Sequence, residues 1–182
     1  DPRLMWHNVI GPNDAPGLLW LERVPGYIAN FLDSYDFQEG EVMIVYSHGG
    51  LNAAPIEAAM YAKERGLKVI VITSGENYAK ATANHSSGKK LGDLADILID
   101  NCCPLEDALV PIPGYYQKVG ASSTVSVITI SQTIASETAL LLQQKGHKMY
   151  IFVSPNVVEV PKDYMHEVYA NYRDLVFKNS NM

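Results

Sequence analysis

One apolar run between Gly40 and Gly49 ends in a small polar turn and is followed by a helical pattern. The six residues 42–47 are rich in Val, Ile and Tyr, which is typical of a strand buried on both faces, and Ser47 falls at its carboxyl end. Residues 47–52 include two glycines, whose backbone can approach a ligand closely. Apolar residues then recur at helical spacing until Gly66, which suits a helix end. We predict a strand, a polar turn and a helix, in that order.

The rest of the chain repeats this alternation of apolar runs and helical periods. Because a helix separates the first two strands, they form a βαβ unit, and the sheet is predicted to be parallel. Residues 1–17 read as an irregular lead-in, and 104–120 as a long loop without a clear period. Further strands are predicted at 67–74, 96–100 and 149–154, and helices within 18–35 after a break at Pro25-Gly26, at 91–94, 122–145 and 164–177.

Length and charge restrict the class of protein. A chain of 182 residues with 47% hydrophobic residues suits one domain over 1–182. The net charge of -6 argues against a nucleic-acid surface, which needs clustered Lys and Arg. No apolar run reaches the roughly 20 residues of a membrane span, and the neighbouring Cys102 and Cys103 suit free thiols in a reducing compartment. We expect a cytoplasmic protein without a membrane partner, metal or cofactor.

Two hydroxyl-rich helix starts are candidate anion sites. Ligands of parallel α/β sheets lie beyond the carboxyl ends of the strands, which selects the turn after the first strand. The second start carries three consecutive hydroxyls, Ser122, Ser123 and Thr124. Each start could be an ordinary helix cap, but two on one edge of a sheet favour a phosphate that carries a sugar.

The motifs SHGGLNAAPIE at 47–57, HSSGK at 85–89 and SSTV at 122–125 resemble those of the sugar isomerase (SIS) domain, in particular small bacterial phosphosugar-isomerase-like proteins. The resemblance extends over residues 21–166. It implies an α/β three-layer sandwich, flavodoxin-like, with a parallel sheet of five strands. It also implies a phosphorylated sugar as ligand and a homodimer. The residues implied to bind phosphate or sugar are Ser47, His48, Gly49, Gly50, Asn52, Ser122, Ser123 and Thr124.

The chain departs from the family pattern at two places. Gly49 stands where the family usually has a second serine of an S-x-S-G turn, so backbone N–H groups would replace one hydroxyl. The family also has an earlier strand, Gly-rich turn and helix, and the sequence here offers four strand candidates where the resemblance implies five. We expect that this first strand is missing from the sequence, with a variant fold as the alternative.

Aldose and ketose phosphates interconvert through an enediol, which requires a base and a group that moves the carbonyl proton. Glu22, in a segment that matches the family, and His85, in a loop at the expected edge of the sheet, are the catalytic candidates. A surface ion pair with Arg23 and a solvated loop histidine are the respective alternatives. A non-catalytic phosphosugar sensor and a flavin or nucleotide protein are rival functions.

Overall fold

The computed structural model describes residues 15–154, 156 and 159–178. Its first half alternates short helices with the strands of a parallel sheet, and one long and one shorter helix follow a β-hairpin. The elements in chain order are α1 Ala15–Leu21, α2 Tyr27–Leu32, β1 Val42–Tyr46, α3 Ala53–Glu64, β2 Lys68–Thr73, α4 Gly75–Lys80, a 3-10 turn Leu91–Leu94, β3 Ile97–Asp100, β4 Ala108–Pro111, β5 Lys118–Ala121, α5 Ser122–Gln144 and α6 Tyr164–Lys178.

The central sheet confirms the predicted α/β class. Its order is β1-β2-β3, and both pairs are parallel. The register places Tyr46 opposite Ile72, and Thr73 opposite Asp100. The three carboxyl ends therefore lie along one edge, which brings the segments after Tyr46, Thr73 and Asp100 close together.

The hydrophobic core lies between this sheet and α3. Ile56, Ala59 and Ala62, spaced three residues apart along α3, are fully buried, and so are Val69 and Val71 on β2. A helical face that buries small and branched residues against a sheet is stabilised mainly by the removal of apolar surface from water. This packing fixes the start of α3 at the carboxyl edge of the sheet.

The predicted fourth strand is wrong, because residues 149–154 are not in a strand and pair with none of the strands in the described part of the chain. The hydroxyl of Tyr164 takes the place of a ladder partner. It accepts a hydrogen bond from the Ile151 N–H at 3.2 Å and donates one to the Ile151 carbonyl at 2.8 Å. Phe152 packs edge-on against Tyr169 and Tyr172, with ring centroids 5.5 and 5.9 Å apart.

Three shorter segments also differ from their predictions. The long loop at 104–120 contains the antiparallel hairpin β4–β5, and the polar stretch after β2 begins with α4. The lead-in is helical from Ala15, where α1 begins, and its residues 1–14 lie outside the described part of the chain. These elements were not predicted because they lie in proline-rich and serine-rich segments that have no hydrophobic period.

The described residues fall into two compact units. The first holds residues 15–33 and 37–131, with the sheet, α3 and the hairpin. The second holds residues 34–36, 132–154, 156 and 159–178, with the second half of α5 and all of α6. Everything described below as the candidate site belongs to the first unit.

Helix α5 changes one conclusion from the sequence. Its 23 residues contain a window with a mean hydropathy of 1.4, so by length and composition alone it could cross a membrane. Serine and threonine interrupt its apolar residues, which is why no continuous run is visible in the sequence. The absence of a continuous apolar run in the sequence therefore does not exclude an apolar helix of spanning length.

Candidate functional site

The turn between β1 and α3 is fixed by hydrogen bonds to its neighbours. Ser47 Oγ accepts from the Gly50 N–H at 3.2 Å, and the Gly50 carbonyl accepts from the Leu91 N–H at 2.9 Å. Gly50 has a φ of 64°, and a Cβ there would lie 3.0 Å from Thr73 Oγ1. Any other residue at position 50 would therefore be strained, and glycine is favoured there. At Gly49 the φ is not positive, and apart from its two chain neighbours no described residue has an atom within 4 Å of an added Cβ, so this position is open.

The same turn presents backbone donors at the start of α3. Within the described residues, the N–H groups of Gly49, Leu51 and Asn52 donate to no acceptor. The N-terminus of a 12-residue helix adds its positive dipole at this point. The Asn52 side chain does not cap the helix, contrary to the sequence interpretation, and instead donates to Glu22 Oε1 at 2.7 Å. The backbone donors thus remain available to an anion.

A cavity of about 100 Å³ opens beside this helix start. It is lined by Arg23 and Pro25, by residues 51–53 and by residues 84–86. A single water occupies roughly 10–15 Å³ by this measure, so the space suits a small organic molecule partly open to solvent. Glu22 lies next to this cavity through its hydrogen bond to Asn52, which is one of the lining residues.

His85 is oriented by partners on both sides of its ring. The Ser87 N–H donates to His85 Nδ1 at 3.2 Å, so the hydrogen of a neutral ring lies on Nε2. Nε2 lies 3.3 Å from Glu57 Oε1, and the His85 side chain is 6% exposed. The two oxygens of Glu57 also accept from the Gly26 N–H at 3.0 and 2.8 Å. The result is a carboxylate–imidazole pair at the wall of the cavity.

The ring of His48 faces a polar cluster at the ends of β2 and β3. Its Nε2 lies 3.0 Å from Asn77 Nδ2 and 3.3 Å from the Leu105 carbonyl, and its Nδ1 lies 3.4 Å from Asn101 Nδ2. Asn77 and Asn101 are buried. His48 is thus used to attach the turn to the neighbouring strand ends, and phosphate contact by its ring stays a prediction.

The second helix start is occupied by a carboxylate of the protein. Asp107 Oδ2 accepts from the Ser123 hydroxyl at 2.7 Å, and the Ser122 hydroxyl donates to the Asp107 carbonyl at 2.7 Å. Burial favours the neutral acid, but the Ser123 N–H and the two hydroxyls outweigh it and hold the pKa of Asp107 below its ordinary value. A phosphate at Ser122, Ser123 and Thr124 would have to approach this negative charge.

The sequence candidates therefore separate into three places. Asn52, Glu22 and His85 meet at the cavity, with Ser47, Gly49 and Gly50 in the adjoining turn. His48 points into the polar cluster, and Ser122–Thr124 surround Asp107. Glu57, Asp107 and Arg23 were not chosen as site residues. Glu57 lies five residues after Asn52, but its pairing with His85 spans 28 residues and leaves no local signal.

Within the described residues, the two cysteines do not line the cavity, and no candidate metal centre is present. Cys102 is exposed, Cys103 is buried, and neither forms a disulfide. In the described ranges, no three His, Cys, Asp or Glu side chains are grouped so that they could hold a metal ion.

Comparison with known proteins relates the N-terminal part of the chain to a domain family. The SIS domain family matches residues 1–74, which include β1, the turn, α3 and β2. The chain is 41% identical over 140 residues to a UPF0309 protein of Thermoanaerobacter pseudethanolicus, covering 76% of this chain and 57% of the relative. It is 40% identical over 153 residues to a UPF0309 protein of Brucella anthropi, covering 84% and 61%. The chain is therefore similar to SIS-domain proteins over residues 1–74 and to this bacterial family over most of its length.

The SIS domain confirms the resemblance seen in the sequence and indicates sugar-related binding. The matched segment contains Arg23, Asn52 and Glu57 but ends before His85 and Ser122. A UPF0309 protein of Halalkalibacterium halodurans is 35% identical over 156 residues, covering 86% of this chain and 62% of that protein. The chain spans about three fifths of the length of the curated relatives it matches.

Proposed function

We propose that this protein binds a phosphorylated sugar or amino sugar in the cavity beside α3 and interconverts its aldose and ketose forms. The observation that carries the proposal is the cavity itself, which joins a helix start with available N–H donors to an imidazole held by a carboxylate. One end of such a site suits an anion, and the other suits proton transfer.

The phosphate end is the helix start. The N–H groups of Gly49, Leu51 and Asn52 and the dipole of α3 attract a phosphate without a charged residue in the turn itself. Ser47 supports this geometry because its Oγ already accepts from Gly50 and leaves its own hydrogen for a phosphate oxygen.

The proton-transfer end contains Glu22 and His85. We assign to Glu22 the removal of the proton from the carbon next to the carbonyl, and its return to the neighbouring carbon of the enediol. We assign to His85 the transfer of a proton between the two oxygens. Glu57 orients His85 and stabilises the imidazolium that forms when Nδ1 takes up a proton. For this step the Ser87 N–H and hydroxyl must release Nδ1.

Turnover of a panel of hexose and hexosamine 6-phosphates by the complete protein tests the assignment. Glu22→Gln and His85→Ala are each expected to lower kcat by about 10²- to 10⁴-fold, as for loss of a general acid or base. Glu64→Gln, at the exposed far end of α3, and His147→Ala are the matched controls and should retain activity. Unchanged turnover in both Glu22→Gln and His85→Ala would contradict the catalytic roles.

One observation favours a non-catalytic phosphosugar sensor as the second candidate. Glu22 accepts from Asn52, and His85 is engaged at both ring nitrogens, so neither side chain is unpartnered before substrate binds. Tight binding of a sugar phosphate without any turnover would favour the sensor. Pairing of two copies and a cytoplasmic location stay predictions from the sequence.

A further inference from the structure

One wall of the cavity is held against the start of α3 at both of its ends. At the first end, the Glu22 carbonyl accepts from the Ala54 N–H at 2.9 Å, and its carboxylate accepts from Asn52 at 2.7 Å. At the other end, the Gly26 N–H donates to the carboxylate of Glu57. Residues 22–26, which we call the clamped wall, are therefore fixed on the helix that provides the anion site.

Arg23 lies in the middle of the clamped wall and lines the cavity with residues 51–53. Among the described residues it is the only Lys or Arg that does so. Its guanidinium forms no ion pair with any carboxylate in the described ranges. The carboxylates that hold the two ends of the clamped wall are already engaged, since Glu22 accepts from Asn52, and Glu57 accepts from Gly26 and lies beside His85.

Two other cations of the first unit are used within the fold. Lys90 Nζ donates to the carbonyls of Tyr78 and Ala81. Arg65 pairs with Asp33 at 3.4 Å and lies over the ring of Tyr61. Arg23 differs from both because it lines the cavity and forms no ion pair among the described residues.

We propose that Arg23 is the specificity-determining residue of the site and selects a dianionic phosphate ester over a neutral sugar. The proposal rests on the proposed function, since it concerns the same cavity. A guanidinium binds two phosphate oxygens at once through its planar donor fork. Arg23 would thereby supply the contact that the turn lacks at Gly49, where the family usually has a hydroxyl.

Calorimetric titration of the complete protein separates the contribution of the Arg23–phosphate contact to the affinity from that of the sugar. The probes are one hexose 6-phosphate that the protein binds, the same hexose without phosphate, and gluconate as a sugar with a carboxylate. Arg23→Gln is expected to weaken binding of the hexose 6-phosphate by about 10- to 100-fold, as for loss of hydrogen bonds to a charged group. Binding of the neutral hexose should not change. Arg23→Lys keeps the charge without the fork, and its affinity for the hexose 6-phosphate should lie between those of the wild type and Arg23→Gln.

Arg173→Gln removes the same charge from α6 and is the matched control, and its affinity should equal that of the wild type. Equal affinity of Arg23→Gln and wild type for the hexose 6-phosphate would overturn the proposal and leave the proposed function intact. A wild-type protein that binds no sugar phosphate would overturn both. Gluconate bound as tightly as the phosphate ester, and lost in Arg23→Gln, would overturn the selectivity for phosphate.

Discussion

The two hydroxyl-rich helix starts look alike in the sequence and differ in the structure. The start of α3 has backbone N–H groups that donate to no acceptor among the described residues, and it faces a cavity. The start of α5 has its N–H and hydroxyl groups bonded to Asp107, a residue that sequence inspection did not select. Composition therefore selects both helix starts as candidate anion sites. The carboxylate of Asp107 occupies one of them, so only the start of α3 is open to a ligand.

The difference between the two helix starts depends first on Gly50, which shapes the turn before α3. A side chain there is strained by the positive φ and lies 3.0 Å from Thr73 Oγ1, so Gly50→Ala is expected to destabilise the fold by about 2–3 kcal/mol. It should also weaken sugar-phosphate binding. Urea unfolding and calorimetry measure both effects. Gly49→Ala is the matched control because, apart from its two chain neighbours, no described residue has an atom within 4 Å of its added Cβ. Equal stability of the two variants would contradict the geometry of the turn.

The second prediction concerns Asp107 and pH. Because its pKa is depressed in the folded state, the carboxylate stabilises the fold above the ordinary aspartate pKa of about 4, and this contribution is lost as the pH falls through the lower folded value. Asp107→Asn should cost about 1–2 kcal/mol near neutral pH. The difference in Tm between wild type and variant should shrink on acidification. A difference independent of pH would exclude the charge as its cause.

Removal of one hydroxyl at the second start has a smaller effect. Ser123→Ala loses a hydrogen bond to Asp107 and should cost about 1 kcal/mol of unfolding free energy. Its affinity for a sugar phosphate should equal that of the wild type. Thr124→Ala, which removes an exposed neighbour, is the control for helix propensity. Loss of ligand affinity in Ser123→Ala would show that both starts bind the phosphate.

The smallest expected effect is a gain in phosphosugar affinity when Gly49 is replaced by serine. The open space there accommodates a hydroxyl, so Gly49→Ser should tighten phosphosugar binding by about 1 kcal/mol, or about fivefold. The Gly49→Ala variant separates the hydroxyl from the added methylene carbon. Equal affinities of the serine and alanine variants would mean that the phosphate does not reach this side of the turn.

The sequence predicted the parts of the fold that depend on local pattern. Strands β1 to β3 and the helix after the turn follow from apolar runs bounded by glycine, and Gly66 ends that helix with a φ of 76° as expected. Residues 149–154 have the same apolar character without a neighbouring strand, so pattern alone predicted a strand wrongly. The side-chain pairs Glu57–His85 and Asp107–Ser123 join residues 28 and 16 positions apart, which only the folded chain brings together.

The central claim is that phosphate binds at the start of α3 and not at the start of α5. Titration of the isotope-labelled complete protein with inorganic phosphate, followed by amide NMR, tests it most directly. The account predicts that the amide signals of Gly49, Leu51 and Asn52 move with a common affinity, while those of Ser122, Ser123 and Thr124 stay in place. Movement of the second group without the first would contradict it.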